Sequence, residues 1–398
     1  MWRRLIGLNE KDFFEENSSF PEGREKLFPQ LLDQFYVLKG LHILESDKKV
    51  LEKIAQTTDG VKLLSGLSQS GKYTLILYFP FHLRDWFLQQ IEKVENSESP
   101  KLLKAFSDLF NNFDRNNWCY DRRGKKLEIE SPRIMGILNI TPDSFSNGGR
   151  FFDNESAYVQ ALKMLEMGAD IIDLGGESTR PGSAPVSIEE EWKRISGVLS
   201  RLSREKDCLI SVDTYKSEIA RRALENGAQM INDISGLSFD KNMVDVIAKY
   251  QCPVIVMHLK GTPQTMQNSP FYSNLMDEIY EFLFQQIQLA NNHGIQEIIV
   301  DPGIGFGKSH NDNFEILRRI REFGSLGHPI MVGTSRKSFI GSVLKKSENE
   351  RIYGSIVTAI YSILNSVRLL RVHDVDETRQ AIKLVNAIKN YKTASDLK

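Results

Sequence analysis

The sequence predicts an α/β protein: a (β/α)8 barrel over residues 131–398, preceded by a small α+β domain over residues 1–130. From Arg133 onward, short apolar runs of strand length alternate with helix-length segments, and the alternation repeats eight times. Eight units in roughly 250 residues is the count and size at which such a chain closes on itself. Each apolar run stops at polar or turn-forming residues, as strands do when they feed loops at one rim. Residues 1–130 lack that rhythm and are set apart. An open doubly wound sheet also alternates strands and helices, but eight short buried strands in unbroken succession favour closure.

The first unit shows the pattern most clearly. Arg133 to Asn139 is an apolar run that stops at a polar segment containing Thr141, Pro142, Asp143, Ser144, Asn147, Gly148 and Gly149, which places Asn139 and Asp143 at the carboxyl end of a strand, where barrels keep their chemistry. A helix is expected from Ser156 to Met167, a strand at Ile171 to Leu174, and then a helix opened by Ser187 and Glu190 in the spacing of a capping box. Strands three to six are expected at Leu209 to Asp213, Met230 to Asp233, Val254 to His258, and Ile298 to Val300 running into Asp301. The intervening helices are Ser217 to Asn226, Asp240 to Tyr250 and Leu275 to Asn292, with Asn313 to Phe323 after strand six. Strand seven, Ile330 to Gly333, runs into TSRKS and helical stretches to Leu344 and from Tyr353 to Val367. Strand eight, Leu369 to Val372, precedes a last helix from Asp376 to Tyr391.

Upstream, Phe28 to Leu44 and Lys48 to Ala55 carry apolar residues at helical spacing, while Val61 to Leu64 and Tyr73 to Phe79 read as strands. Helices resume through Trp86 and Ile91 and again from Leu102 to Phe113, and residues 114–130 read as linker and solvated surface. GLSQSGKY at 66–73 comes close to the phosphate-cradling P-loop. Tyr73 stands where Ser or Thr would hold magnesium, and a strand follows instead of a helix, so a plain hairpin turn is expected.

Composition narrows the function. The 398 residues admit roughly two to three domains, or one barrel with an addition. With 51 basic and 52 acidic residues the net charge is −1, so no overall field draws in nucleic acid or a membrane, and any anion must be met by a local site. Cys119, Cys208 and Cys252 make neither a disulfide framework nor a zinc pattern, which leads to a reducing, cytoplasmic setting as the expectation. The amino-terminal stretch turns acidic too soon for a signal peptide, and no run of about 18 apolar residues is present.

The strand ends carry polar residues that a pure core does not need: Asn139; Asp173 with Glu177, Thr179 and Arg180; Asp213; Asn232 with Asp233; His258; Asp301; Lys337; and Arg371 with His373. Singly, each has a bland reading as a helix cap or a satisfied structural group; together on one rim they read as a site. Asp213, Asn232, Asp301 and Lys337 offer acceptors and donors suited to a flat heterocycle. Arg180, Arg371 and His373 add positive charge that suits an anion such as a diphosphate. Asn139 is a neutral oxygen ligand of the kind that helps hold a hydrated Mg2+ also bound to phosphate. Gly303, Gly305 and Gly307 miss the dinucleotide fingerprint and read as a tight loop.

The chain resembles the dihydropteroate synthases of the folate pathway from about Arg133 to Asn390. The resemblance rests on MGILNITPDSFSNGG at 135–149, DLGGESTRPG at 173–182, SVDTYK at 211–216, INDISGL at 231–237, DPGIGFGK at 301–308, GTSRKSFIG at 333–341 and RVHDV at 371–375, in that order. It implies a TIM barrel that joins 6-hydroxymethyl-7,8-dihydropterin diphosphate to p-aminobenzoate with magnesium, releasing diphosphate by a dissociative displacement through a carbocation-like pterin. It also implies that Asp213, Asn232, Asp301 and Lys337 hold the pterin, with Met257 and Phe306 beside the ring. Asn139 helps hold magnesium; Thr179, Arg180, Arg371 and His373 meet the diphosphate; Lys337 and Ser338 border the p-aminobenzoate pocket, which sulfonamides also occupy in this family. Asp301, Lys337, Arg371 and His373 are the residues expected to act on the reacting groups. A homodimer through the last helices is implied, and Ser355 to Val367 is apolar enough to fit.

Thr334 and Asn147 depart from the Met and Asp common at those positions, and residues 1–130 carry motifs of neither the pyrophosphokinase nor the aldolase found fused to some members. The runner-up class is the pterin-binding methyltransferases that act on methyltetrahydrofolate, against which the anion-binding Arg371 and His373 argue. A non-catalytic pterin-binding module would need a missing catalytic residue, and none is missing.

Overall fold

The structure, a computed structural model, describes Trp2–Arg4 and residues 35–58, 61–67, 72–98, 101–122, 124–141, 154–180, 182–205 and 208–390. The chain forms two compact units: Met1–Arg115 with Arg318–Gly327, and Asn116–Leu317 with His328–Lys398.

The first unit holds an antiparallel sheet of β1 (Trp2–Arg4), β2 (Phe35–Ile43), β3 (Lys62–Leu67) and β4 (Tyr73–Pro80), in the order β1-β2-β4-β3. Helices α1 (Glu45–Thr57), α2 (Arg84–Glu98) and α3 (Leu102–Asp114) share a core with it that includes Leu38, Leu51, Leu77, Phe79, Phe87 and Phe106. Pairing of Leu67 with Tyr73 makes β3 and β4 the hairpin expected around GLSQSGKY, whose residues 68–71 lie outside the described ones. The helical spacing read over Phe28 to Leu44 does not hold: Phe35–Ile43 is a strand, and 28–34 fall outside the described residues. Val37, Leu38, Leu41 and Ile43 are all buried, and a strand covered on both faces loses the alternation that marks a half-buried one.

The second unit is the barrel. Its strands are β7 (Arg133–Asn139), β8 (Ile171–Gly175), β9 (Leu209–Asp213), β10 (Met230–Asp233), β11 (Val254–Met257), β12 (Ile298–Asp301), β13 (Met331–Val332) and β14 (Leu369–Val372), all paired in parallel. The Val300–Ile330 bridge joins β12 to the approach to β13 and closes the ring. The outer helices are α4 (Asn154–Glu166), α5 (Ile188–Leu202), α6 (Ser217–Glu225), α7 (Met243–Tyr250), α8 (Leu275–Asn292), α9 (His310–Arg319), α10 (Ser338–Leu344), α11 (Ile352–Leu364) and α12 (Val375–Lys389). Beyond Arg319 the expected helix gives way to a 3-10 segment, Ile320–Leu326. Among the described residues no helix is long and apolar enough to cross a membrane.

Residues 114–130 are not the solvated linker that their charge suggests. Cys119–Arg122 (β5) pairs with Lys125–Glu128 (β6) as a hairpin, and Trp118, Tyr120, Leu127 and Ile129 are buried with Met135, Ile171, Met230, Ile255, Ile299, Met331 and Leu369 of the barrel strands. Tyr120 Oη donates to the Ile298 carbonyl at 2.8 Å, and Lys125 Nζ to the Glu205 and Cys208 carbonyls. The hairpin therefore plugs the amino-terminal end of the barrel, and each large apolar side chain it buries is worth about 1.5–3 kcal/mol. The division between the units accordingly falls at 115/116, ahead of the 130/131 boundary read from the sequence.

Candidate active site

Strand register sets the site. Asn139 stands opposite Gly175, Gly175 opposite Asp213 and Asp213 opposite Asn232, so these strand ends lie at one level of the rim, with Asp301 opposite Met257 on the next pair. Above them opens a cavity of about 630 Å³ lined by Asn139, Thr179, Arg180, Asn232, Met257, Asp301, Phe306, Lys337, Ser338, Arg371 and His373, which is every residue given a role by the family resemblance except Asp213; Asp173, Glu177, Asp233 and His258, also read as rim residues, do not line it. Asp213 is missing from the wall because Arg371 covers it.

That arginine sits between two buried carboxylates. Arg371 Nε donates to Asp173 Oδ2 and its terminal nitrogen to Asp213 Oδ2, each at 2.7 Å, and Asn232 Nδ2 donates to the same Asp173 oxygen at 3.1 Å. Burial pushes the Asp213 carboxyl up to about 7, with the charge of Asp173 adding to the rise and Arg371 opposing it. Asp173 Oδ1, Asp213 Oδ1 and Asn232 Oδ1 are buried with no donor among the described residues. Such atoms are costly unless paired; of the three residues only Asn232 lines the cavity, with the two carboxylates behind it and Arg371, so this floor favours a ligand that brings N–H groups.

Lys337 and Asp301 face this floor. The Asp301 carboxyl is raised to about 6 by burial, although Gly303 N–H donates to its Oδ1 at 2.7 Å and Lys308 and Lys337 favour its charge. Burial, then the charge of Arg371, lowers Lys337 to about 8, leaving it largely protonated at neutral pH, with its ammonium 4.0 Å from the Phe306 ring centroid. Arg336, just before it, has a left-handed φ of 58°, a conformation that needs outside support in a non-glycine residue. Ser355 Oγ accepts its N–H, Arg351 donates to its carbonyl, and Asp374 pairs with its guanidinium at 2.5 Å. This locked turn aims Lys337 into the cavity.

The glycine loop is the tight turn expected of it. A Cβ on Gly303, at φ 72°, would stand 1.9 Å from the His258 carbonyl oxygen. Beneath it Lys308 donates to His258 Nδ1 at 2.9 Å and to the carbonyls of His258 and Phe306. His258, read from the sequence as a rim residue, is thus a buried partner of Lys308, and burial beside that ammonium holds its pKa well below the usual imidazole value.

His373 does not add charge to the cavity wall, contrary to the reading from residue type. Burial and the cations of Arg371 and Arg336 lower it to about 4, so it is neutral at pH 7, with Nδ1 3.1 Å from Ser335 Oγ. Arg180 is exposed and pairs with Glu348 at 2.8 Å. The lining also includes Arg336, Arg351 and Glu348, which sequence reasoning did not single out; Arg336 lies inside the SRKS motif, whereas Glu348 and Arg351 fall in a stretch with no motif. In all, five basic side chains line the cavity against two carboxylates, making a local anion site in a chain of net charge −1.

Asp143 and Asn147 lie outside the described residues. Among the described residues no cluster of three or more His, Cys, Asp or Glu side chains could hold a metal. The half-buried Asn139 on the cavity wall carries a neutral oxygen, a donor type that fits a hard, largely hydrated cation.

The model of the family described as pterin binding enzyme matches residues 135–373. The chain is 45% identical over 258 residues to the dihydropteroate synthase of Synechocystis, a match covering 64% of this chain and 89% of the relative. The crystal structure of the Yersinia pestis dihydropteroate synthase with a sulfonamide drug is 39% identical with a TM-score of 0.65, covering 69% of this chain and all of the other. That of the Xanthomonas albilineans dihydropteroate synthase with 7,8-dihydropteroate is 35% identical with a TM-score of 0.63 and the same 69% coverage. A closed parallel barrel whose rim offers unpaired acceptors to a flat ring and a basic wall to an anion is what this family's reaction requires, and the chain belongs to the dihydropteroate synthases, transferases among the pterin-binding enzymes.

Proposed function

We propose that the barrel condenses 6-hydroxymethyl-7,8-dihydropterin diphosphate with p-aminobenzoate to give 7,8-dihydropteroate and diphosphate. The observation that carries this reading is the pairing, in one cavity, of donor-free buried acceptors at Asn232 and beside it with the cationic groups of Lys337 and Arg371. The pterin ring brings N–H donors on one edge to Asn232 Oδ1, Asp301 and, once the Arg371 guanidinium moves aside, Asp213. Met257 and Phe306 close on its faces as apolar walls, Phe306 becoming available as the Lys337 ammonium turns to the ring's acceptors.

Thr179, Arg180, Arg371 and His373 meet the diphosphate. As the methylene C–O bond breaks, its electron pair goes to the diphosphate oxygen that had joined it to the pterin, and fixed cations aimed at that end of the diphosphate lower the barrier. Asn139 would help hold a bound Mg2+, which would supply further neutralisation of the diphosphate. The positive charge left on the pterin methylene is stabilised by the Asp301 carboxylate, and the aryl amine of p-aminobenzoate, placed by Lys337 and Ser338, attacks with a lone pair already free at neutral pH, the new C–N nitrogen then giving up its extra proton to solvent. Sulfonamides are expected to compete for that second pocket.

The exposed apolar side chains Val357, Tyr361 and Leu364 on α11 and Leu384 and Ile388 on α12 support a homodimer through these helices. The free thiols Cys119, Cys208 and Cys252 support a cytoplasmic setting. Diphosphate release by the full chain tests the function: with dihydropterin diphosphate and Mg2+, release coupled to dihydropteroate formation only when p-aminobenzoate is present is the expected result. A methyl-transferring barrel would release none.

A further inference from the structure

On the carboxyl side of β8 and β9, outside the cavity wall, lies a buried ionic cluster that the reaction does not use. Lys216 Nζ donates to the Glu177 carboxylate, to Glu191 Oε2 at 2.5 Å and to the Val186 carbonyl at 2.7 Å. Tyr215 Oη donates to the other Glu177 oxygen at 2.7 Å, and Val186 N–H to Glu177 Oε2 at 3.3 Å. Glu177 and Glu191 are almost wholly buried, with side chains 7% and 1% exposed.

The partners lie at both ends of one loop. Glu177 is on the stem leaving β8, Val186 on the stem entering α5, and Glu191 in the first turn of α5. Between them the loop carries Thr179 and Arg180 and is stapled to itself, Ser183 N–H donating to the Arg180 carbonyl at 3.1 Å and the Ser178 and Ser183 hydroxyls meeting at 2.9 Å. Lys216 itself sits on the segment after β9, just beyond Asp213. We propose that Lys216 is a positioning residue: its ammonium ties the two stems of the Gly176–Ser187 loop to each other and to the end of β9, and so sets where Thr179 and Arg180 stand relative to the ring pocket.

A buried ion triad is a weak source of stability, because apolar side chains of similar volume serve as well. What it supplies is geometry: one ammonium satisfies three acceptors from two stems only when the stems are in register. The helix start does not need it, since Ser187 already caps α5 by accepting from Glu190 N–H. Arg194 holds the Gly176 carbonyl at 2.9 Å from the far side, so the stem is gripped between α5 and β9.

The proposal rests on the synthase reading, and its test separates the two. The wild type, Lys216→Met and Lys216→Arg are compared for kcat/KM with dihydropterin diphosphate and for binding of 6-hydroxymethylpterin, which fills the ring pocket but lacks the diphosphate. Misplaced diphosphate contacts lower kcat/KM by about tenfold or more in Lys216→Met, while hydroxymethylpterin affinity stays close to wild type and Lys216→Arg recovers most of the loss. Equal losses in both measurements, or a lower melting temperature with unchanged kinetics, would overturn it. If Lys216→Met does not fold, Glu191→Gln, which weakens one of the three bonds, is read in the same way. Amide exchange across residues 178–186 needs no turnover and is to quicken in Lys216→Met while the body of α5 stays protected; unchanged exchange overturns the proposal. A wild type that releases no diphosphate would sink the synthase reading and leave this exchange test standing.

Discussion

Replacing Arg371 with methionine removes the cation between Asp173 and Asp213 while keeping much of its volume. Both ion pairs are 2.7 Å long and the two carboxylates are 0% and 4% exposed, so neither can turn to water. Breaking a buried pair from one side costs about 3–5 kcal/mol, and each kcal/mol lowers the melting temperature of a barrel-sized unit by about 2–4 °C, so a fall of roughly 10 °C is expected. The loss also has a pH signature. With Arg371 present, burial already holds the Asp213 carboxyl up at about 7; without it the carboxyl moves further up. A carboxyl raised in the folded state contributes stability that is complete below its unfolded value, about 4, and is lost as pH rises through the folded one. The Asp213 share of the Arg371→Met deficit is therefore small near pH 5 and grows as pH rises above about 7. Thermal unfolding followed by circular dichroism at pH 5 and pH 8 reads both features, and adding Asp213→Asn is to restore about 1 kcal/mol or more at pH 8. A deficit below about 1 kcal/mol, or one of equal size at both pH values, would refute the reasoning.

Lys337→Ala and Asp301→Ala are each expected to lose about two orders of magnitude or more in turnover, as removal of a preorganised charge does; steady-state dihydropteroate formation checks both, and a wild-type rate in either contradicts the assignment. His373 is held down at about 4 by burial and the neighbouring cations, and an anion beside it raises that value, so binding takes up a proton and diphosphate inhibition strengthens as pH falls from about 7 toward 5. Inhibition constants for the wild type and His373→Gln, compared across that range, are to diverge on the acid side; parallel curves would remove His373 from the anion site. A chain beginning at Asn116 keeps the buried hairpin residues and is expected to fold as a barrel, whereas one beginning at Ser131 loses Trp118, Tyr120, Leu127 and Ile129 and with them several kcal/mol, at about 1.5–3 for each side chain. Equal melting temperatures for the two chains would show that the plug adds nothing.

The barrel was legible because its strands are buried on both faces and end abruptly in polar residues: Arg133–Asn139, Leu209–Asp213, Met230–Asp233 and Leu369–Val372 fall where the pattern placed them. Residues 118–129 were not, because Arg122, Arg123, Lys125 and Lys126 make the segment look solvated while its apolar partners, Met135 and Ile299 among them, are far away in the chain. At the site, residue type identified the cavity lining but not its internal pairing. Nothing in the sequence indicates that Arg371 spends its guanidinium on Asp173 and Asp213, or that neighbouring cations leave His373 neutral. Lys308 sat in view within DPGIGFGK, yet its role depends on His258, brought to it only by the adjacency of β11 and β12.

The donor-free floor has a consequence for discrimination. A flat molecule of the right outline but without N–H groups would leave the buried Asn232 Oδ1 without a donor. Sites built to hydrogen-bond a ligand reject analogues lacking the matching group by about 10⁴–10⁵, whereas a missing methylene is worth only about 10–200-fold. Ring selectivity therefore resides in strand ends locked by barrel register, where almost any substitution is costly. On the proposed reading the second substrate meets loop residues and the start of α10. The barrel can thus drift in its response to p-aminobenzoate mimics while its choice of pterin stays fixed.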